Sequence, residues 1–302
     1  MTLNSSQSTK ATLQYHGKSF YWASFFMGRK RAQQAARLYT FCRVVDDLVD
    51  KNPGVPKVLE QLQHWQKQLE TGLGEDAAVI DILHLTKEVS LDVPYLQLLI
   101  QGVTLDLKLV RISNEAELIQ YCYLVAGAVG LMMCCILGTT SPEAKKFAVD
   151  LGIAMQLTNI IRDVNEDACA GRQYIPSALL PDKLDLTQVV PLDATLLKPA
   201  LKHLFDLSET YYKSGYDGLS YLPWRSRLSI LIAARLYQEI SLQAKSADFE
   251  VLQRRIVVSS PRKCWLIVGC MMSFLWGSLT QMRRPTHNSQ LHHKLDSFFS
   301  TP

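Results

Sequence analysis

Breaks in this chain are few. KNPGVP (51–56), TGLGED (71–76), LDVP (91–94), GTTSP (138–142) and a proline-containing stretch from 171 to 191 are the clear ones. Between them apolar residues recur at helical spacing and period-two alternation is rare, which leaves an all-α fold as the reading. The spacing predicts helices near 14–26, 32–50, 56–70, 76–89, 94–110, 114–137, 142–167, 194–217, 224–246 and 260–281. Ser141-Pro142-Glu143 suits a helix start, with Ser as N-cap and Pro in the first turn. No composition shift or long linker divides the 302 residues. One domain over 13–284 is expected, preceded by a flexible segment (1–12) and followed by a polar tail (285–302) in which His292 and His293 are solvated.

Two of these helices carry acids where a core helix should carry none. On the helix through FCRVVDDLVD, Tyr39, Arg43, Asp46 and Asp50 fall within about 60° of one another, among Leu38, Phe41, Val44, Val45, Leu48 and Val49. On LGIAMQLTNIIRDVNEDACAGR, Gln156, Asn159, Asp163 and Asp167 share about 80°, flanked by Leu157, Ile160, Ile161 and Val164. A solvated helix shows a broad face of mixed charge, so narrow acidic seams on apolar helices are expected to face an internal cavity.

Two carboxylates one turn apart repel by about 3 kcal/mol at an effective dielectric near 20. One arginine beside each pair, Arg43 and Arg162, leaves charge uncompensated unless cations are present. Asp and Asn oxygens without His or Cys suit Mg²⁺ or Mn²⁺ better than zinc. Two facing aspartate pairs bridged to diphosphate by such ions, in an apolar cavity, describe an enzyme that ionises a prenyl diphosphate.

At these residues the sequence resembles the squalene/phytoene synthase family, and within it the bacterial phytoene synthases. The resemblance runs through HGKSF (16–20), YTFCRVVDDLVD (39–50), YCYLVAGAVGLMM (121–133), QLTNIIRDVNEDACAGRQYIP (156–176), ARLYQEI (234–240) and RRIVVSSPRK (254–263). It implies a helical bundle of the isoprenoid synthase type around a central cavity. It further implies that Asp46, Asp50, Asn159 and Asp163 bind Mg²⁺ with Asp167 completing the second pair, and that Lys18, Tyr39, Arg43, Gln156, Arg162 and Tyr237 contact diphosphates. Arg255 is expected at the edge of the site, and His16, Ser19 and Phe20 enter through HGKSF. Gly17 departs from the serine that relatives often carry there.

The implied reaction joins two geranylgeranyl diphosphates head to head through a cyclopropylcarbinyl diphosphate. Tyr121 and released diphosphate are the candidate proton acceptors, with packing the other reading of Tyr121. No strand-bound GxGxxG is present, so neither NADPH nor flavin is expected. The competing readings are a shorter-chain dehydrosqualene or squalene-type synthase using farnesyl diphosphate, a non-catalytic assembly or lipid-binding relative, and a helical metal hydrolase. Phe20, Ala23 and Ser24 are expected to bound the tunnel for the prenyl chain; the face of Tyr121, Val125, Val129 and Met132, with Gly127, Ala128 and Gly130 nearby, reads equally as a close helix approach through small residues and as tunnel lining.

A net charge of +4 without basic runs interleaved with aromatics argues against a nucleic-acid partner. Seven cysteines without CxxC read as reduced, buried thiols, and the polar start MTLNSSQSTKATLQ holds no signal-peptide core, so a cytoplasmic location is expected. WLIVGCMMSFLWGSL (265–279) is shorter than the roughly 20 residues that cross a bilayer. It reads first as a buried helix. Flanking Arg262, Lys263, Arg283 and Arg284 make contact with the inner membrane surface the alternative, and downstream carotenoid enzymes are the partners such a placement implies. Asp47 is expected beside the first seam rather than as a ligand, Arg172 and Tyr174 in the loop after the second motif either to close over the site or to pack there, and Asp106 reads first as a capped or paired buried acid and second as a neighbour of the ligands.

Overall fold

The computed structural model describes residues 18–50, 56–139, 141–181, 184–188, 193–251, 255–278 and 284–296. Helices form where the apolar spacing places them: α1 (Lys18–Met27), α2 (Arg29–Asp50), α3 (Pro56–Thr71), α4 (Ala77–Val89), α5 (Val93–Leu105), α6 (Glu115–Cys122), α7 (Ala128–Leu137), α8 (Pro142–Cys169), α9 (Ala194–Asp217), α10 (Trp224–Ser246) and α11 (Ser260–Ser278). Among the described residues there is no strand, only an isolated bridge between Arg111 and Gln173.

Local chemistry sets the ends. Asn114 caps α6 by accepting from Glu117 N at 3.0 Å, and Asp193 caps α9 through Thr195 N at 2.8 Å. Gly138 ends α7 at φ 81°, a left-handed turn that a side chain would resist. Pro142 sits in the first turn of α8 as expected, but Ser141 occupies the N-cap position without a side-chain cap bond.

The single helix expected over 114–137 is interrupted. Tyr123–Gly127 forms one π turn between α6 and α7. The wider turn shifts the register after Val125, so Met133 rather than Met132 reaches the tunnel wall, and Met132 goes to the core.

α8 runs through the centre, packed on α7, α9 and α10. Its apolar side (Ile153, Leu157, Ile161) belongs to a core built with α6 and α9. The apolar side of α2 (Leu38, Phe41, Val45, Val49) enters a second core with α3, α4 and α5. Each motif helix is thus anchored by its own core. The acidic seams are left to face the space between them.

Three expectations are corrected here. α11 is not a buried helix: Ile267 and Cys270 pack against α10, but Trp265 is 74% exposed and Met272 64% exposed, with Val268 and Leu275 also outward. A helix apolar all round needs partners on every side, and among the described residues α11 has them on one. The described stretch long and apolar enough to cross a membrane is instead Glu115–Leu137, which is mostly buried. His292 is not solvated either. Residues 284–296 lie on the helices, with Leu295 fully buried, Tyr211 donating to the Leu291 carbonyl (3.0 Å) and Tyr221 to that of Pro285 (2.8 Å); His293 alone of the pair is exposed. Finally, all seven cysteines are free, but Cys169 and Cys264 are exposed rather than buried.

Candidate active site

Asp46 and Asp50 on α2 and Asn159, Asp163 and Asp167 on α8 line one pocket of about 250 Å³, together with Gln156, Arg162 and Tyr121. Their seams meet because α2 and α8 bury their opposite sides in separate cores. The remaining wall comes from elsewhere: Asp106 at the C-terminal end of α5, and Arg172 and Tyr174 in the loop after α8. Arg172 joins the two halves, its Nη1 donating to Asp50 Oδ1 at 2.8 Å.

Asp106 is the buried, paired acid that its isolation suggested, and it is also part of this pocket. Tyr121 Oη donates to its Oδ2 at 3.0 Å and Tyr174 Oη to its Oδ1 at 2.8 Å. The two rings stack with centroids 4.8 Å apart. The Tyr121 phenol is buried, which pushes its ionisation well above the ordinary value.

Five aspartates against two arginines on the wall is an acidic excess. Arg162 donates to Asp163, with Nε at 2.8 Å, and Arg255 reaches the same carboxylate at 3.1 Å from the rim. Arg43 is turned to Asp47 (2.5 Å) and stands off the pocket wall, with its Nε buried and unpartnered. Neither the Asp46 nor the Asp167 carboxylate has a hydrogen-bond or ion-pair partner among the described residues. Burial pushes Asp46 up to about 7, against the pull of Arg43 and with Asp50 and Asp106 adding repulsion. Asp167 rises to about 8, through burial and then the charge of Asp163, and Asp106 to about 6 through burial.

Asn159 Oδ1 is a buried acceptor with no donor, while its Nδ2 donates to Gln156 Oε1 at 3.2 Å. An orphaned amide oxygen beside unneutralised carboxylates, with no nitrogen or sulfur ligand, fits a hard divalent cation. The neutralisation of each pair by its own arginine fails, since one acid of each pair is left over.

This pocket adjoins a second, apolar one. A cavity of about 270 Å³ shares Val125, Gln156 and Asn159 with the acidic pocket. Its wall includes Phe20, Ala23, Ser24, Val129 and Met133, as well as Tyr39 and Tyr237. Phe20 packs between the two tyrosines, at 6.2 Å from Tyr39 and 5.3 Å from Tyr237. Burial pushes the Tyr39 phenol up to about 12. Lys18 and Ser19 lie on the first turn of α1, and His16 and Gly17 fall outside the described residues.

The profile of the squalene/phytoene synthase family matches residues 13–262. The chain belongs to that family. Among its family relatives, the 15-cis-phytoene synthase of Enterobacter agglomerans is 32% identical, aligning 83% of this chain with 90% of that one. The phytoene synthase of Thermus thermophilus is 34% identical over 80% of this chain and 84% of its own. Among solved structures, a dehydrosqualene synthase in complex with ligand superposes with a TM-score of 0.79 at 26% identity, covering 89% of this chain and 96% of that one. A squalene synthase from Alicyclobacillus acidocaldarius, at 21% identity and a TM-score of 0.71 over 80% and 94% of the two chains, shares the fold. This family member is an enzyme that transfers prenyl groups, on an all-α isoprenoid synthase scaffold.

Proposed function

We infer that this protein condenses two molecules of geranylgeranyl diphosphate, head to head, to phytoene in carotenoid biosynthesis. The observation that carries the reading is the junction of an acid-lined pocket with an apolar cavity, sharing Val125, Gln156 and Asn159. One compartment suits diphosphate heads and the other prenyl tails. Relatives named phytoene synthase at 30–34% identity support the long substrate.

The metal in this reading is Mg²⁺, with Mn²⁺ as substitute, held by Asp46, Asp50, Asn159, Asp163 and Asp167. When bound it neutralises the charge that develops on departing diphosphate. Arg162 and Arg172 face the same pocket and hold diphosphate oxygens, and Arg255 at the rim does so as a substrate enters. Gln156 lines both compartments and is assigned to the junction of head and tail, while Tyr39 and Tyr237 on the wall of the apolar cavity are assigned to contact with the diphosphate end of the chain. Lys18, Ser19 and His16 are assigned to diphosphate or substrate contact from the motif alone.

Ionisation of the first substrate leaves an allylic cation that water would quench; the apolar wall excludes it. The double bond of the second substrate attacks this cation to give a cyclopropylcarbinyl diphosphate. A second ionisation, rearrangement and loss of a proton then yield the triene. Tyr121 donates its hydroxyl hydrogen bond to Asp106 and burial disfavours its ionised form, so we assign it the part of presenting an aromatic face to the cation and assign proton acceptance to released diphosphate. Neither NADPH nor flavin enters this sequence.

Incubation with Mg²⁺ and either geranylgeranyl or farnesyl diphosphate, with and without NADPH, followed by product mass, tests the reading. A forty-carbon triene independent of NADPH is expected. A thirty-carbon product would establish the dehydrosqualene alternative, and absence of diphosphate release from both would leave only a binding protein. The outward apolar side of α11 supports our further reading that the enzyme lies against the cytoplasmic face of a membrane, where phytoene would pass to the next carotenoid enzyme.

A further inference from the structure

Asp150 lies on α8 nine residues before Asn159, in a region without part in the proposed chemistry, and its carboxylate is fully buried. A buried carboxylate needs compensation from its surroundings. Here it comes from the far end of the chain: His287 Nε2 lies 2.8 Å from Asp150 Oδ2, and His292 Nε2 lies 2.8 Å from Oδ1. The two imidazole centroids are 4.4 Å apart. The Ser214 hydroxyl on α9 donates to Oδ2, and the edge of Phe147 meets the His287 ring.

We propose that Asp150, His287 and His292 form a three-ligand transition-metal site, zinc by its ligand chemistry with water as the fourth ligand, that fastens the C-terminal segment to the catalytic helix α8. Their ligand atoms all lie within 4.8 Å of one another and all three residues are buried. Two imidazoles and one carboxylate suit zinc, in contrast to the oxygen-only pocket on the same helix. Zinc bonds of about 2.0–2.2 Å hold neighbouring tetrahedral ligands roughly 3.3 Å apart, so the ion is admitted when the 2.8 Å contacts part by about half an ångström. His292 also lines a groove of about 910 Å³ with Glu70, Tyr95 and Gln97, which gives an ion its route in. Ser214, bonded to the carboxylate, orients that ligand as the surroundings of zinc sites commonly do.

The rival arrangement is metal-free, with each imidazole donating an Nε2–H to the carboxylate. The two differ in what the purified protein contains. Full-length, untagged enzyme is purified, stripped with chelator, titrated with Zn²⁺ in excess Mg²⁺, and its metal measured by mass spectrometry. The expected content is about one tightly held zinc per chain, reduced by at least about tenfold in the His287→Gln/His292→Gln double variant and unchanged in Asp46→Asn. Co²⁺ in place of zinc should give the visible absorption of a four-coordinate site. If the stripped enzyme, helical by circular dichroism, takes up no zinc, or if the double variant takes up as much as the unaltered chain, the site is a hydrogen-bonded clasp and the proposal is overturned. Should the double variant fail to fold, zinc content and the Co²⁺ spectrum of the unaltered enzyme decide.

Discussion

At the scale of single residues, the site is governed by carboxylates that are hard to ionise. The proton held by Asp46 up to about pH 7 and by Asp167 up to about pH 8 is lost near 3.8 in an unfolded chain. A folded-state value above the unfolded one means that the native state binds more protons in between. Stability from these two groups therefore falls as pH rises from about 4 towards 8 and stays low above that. A divalent cation at the proposed site would reverse the loss by binding the ionised forms. Melting curves at about pH 5.5 and about pH 8.5 should show a larger Mg²⁺-induced rise in Tm at the higher pH, and an equal rise at both would contradict the assignment. For the same reason Asp46→Asn and Asp163→Asn should each lower turnover by about 10²–10³-fold or more while far-ultraviolet circular dichroism stays unchanged. The acids on α2 and α8 were legible in sequence because charge on an apolar helix is conspicuous. Asp106 showed the same signal singly, but its two phenol partners lie 15 and 68 residues away, and only tertiary structure joins them. Asp150 gave less warning still. Its histidines follow 137 and 142 residues later.

At the scale of elements, helix positions were readable and helix contacts only in part. Apolar periodicity reports that a face is buried, and it does not say how close the neighbour comes. At Gly130 the small residues around it signalled a close approach, which the structure bears out, whereas Gly152 gave no such signal. A Cβ on Gly130 would lie 2.2 Å from the Ala148 carbonyl oxygen, and one on Gly152 would lie 2.3 Å from that of Ala126. Both obstacles are backbone, so α8 packs on α7 and the π turn at a distance that only glycine allows. Gly152→Ala should cost about 1–3 kcal/mol in denaturant unfolding. Gly269 on the exposed α11 meets nothing within 4 Å, and Gly269→Ala should leave stability equal or slightly improved through helix propensity. The π turn itself left no trace in the pattern, because one extra residue in a turn changes the register without changing the composition. The outward face of α11 was misread on similar grounds, since a fully apolar helix predicts burial only where enough partners surround it.

At the scale of the whole molecule, the proposed function uses two apolar surfaces, one inside and one outside. The outside one is α11: Trp265→Ser with Met272→Ser should weaken cosedimentation with anionic vesicles while solution turnover on dispersed substrate is retained. The inside one is the apolar cavity, whose extent sets the length of chain that fits. Ser24 lines it from α1, with its hydroxyl donating to the Tyr21 carbonyl at 2.7 Å, so the side chain makes no polar demand on the cavity. Replacing it with Phe fills space beside Ala23 and Phe20 without touching the acidic pocket. Ser24→Phe should therefore shift preference from geranylgeranyl towards farnesyl diphosphate, with Mg²⁺ dependence unaltered. The check is the ratio of forty- to thirty-carbon products from paired substrates. An unchanged ratio would mean that the chain runs past another wall, and that other lining residues such as Val129 and Met133 on α7 set the length instead.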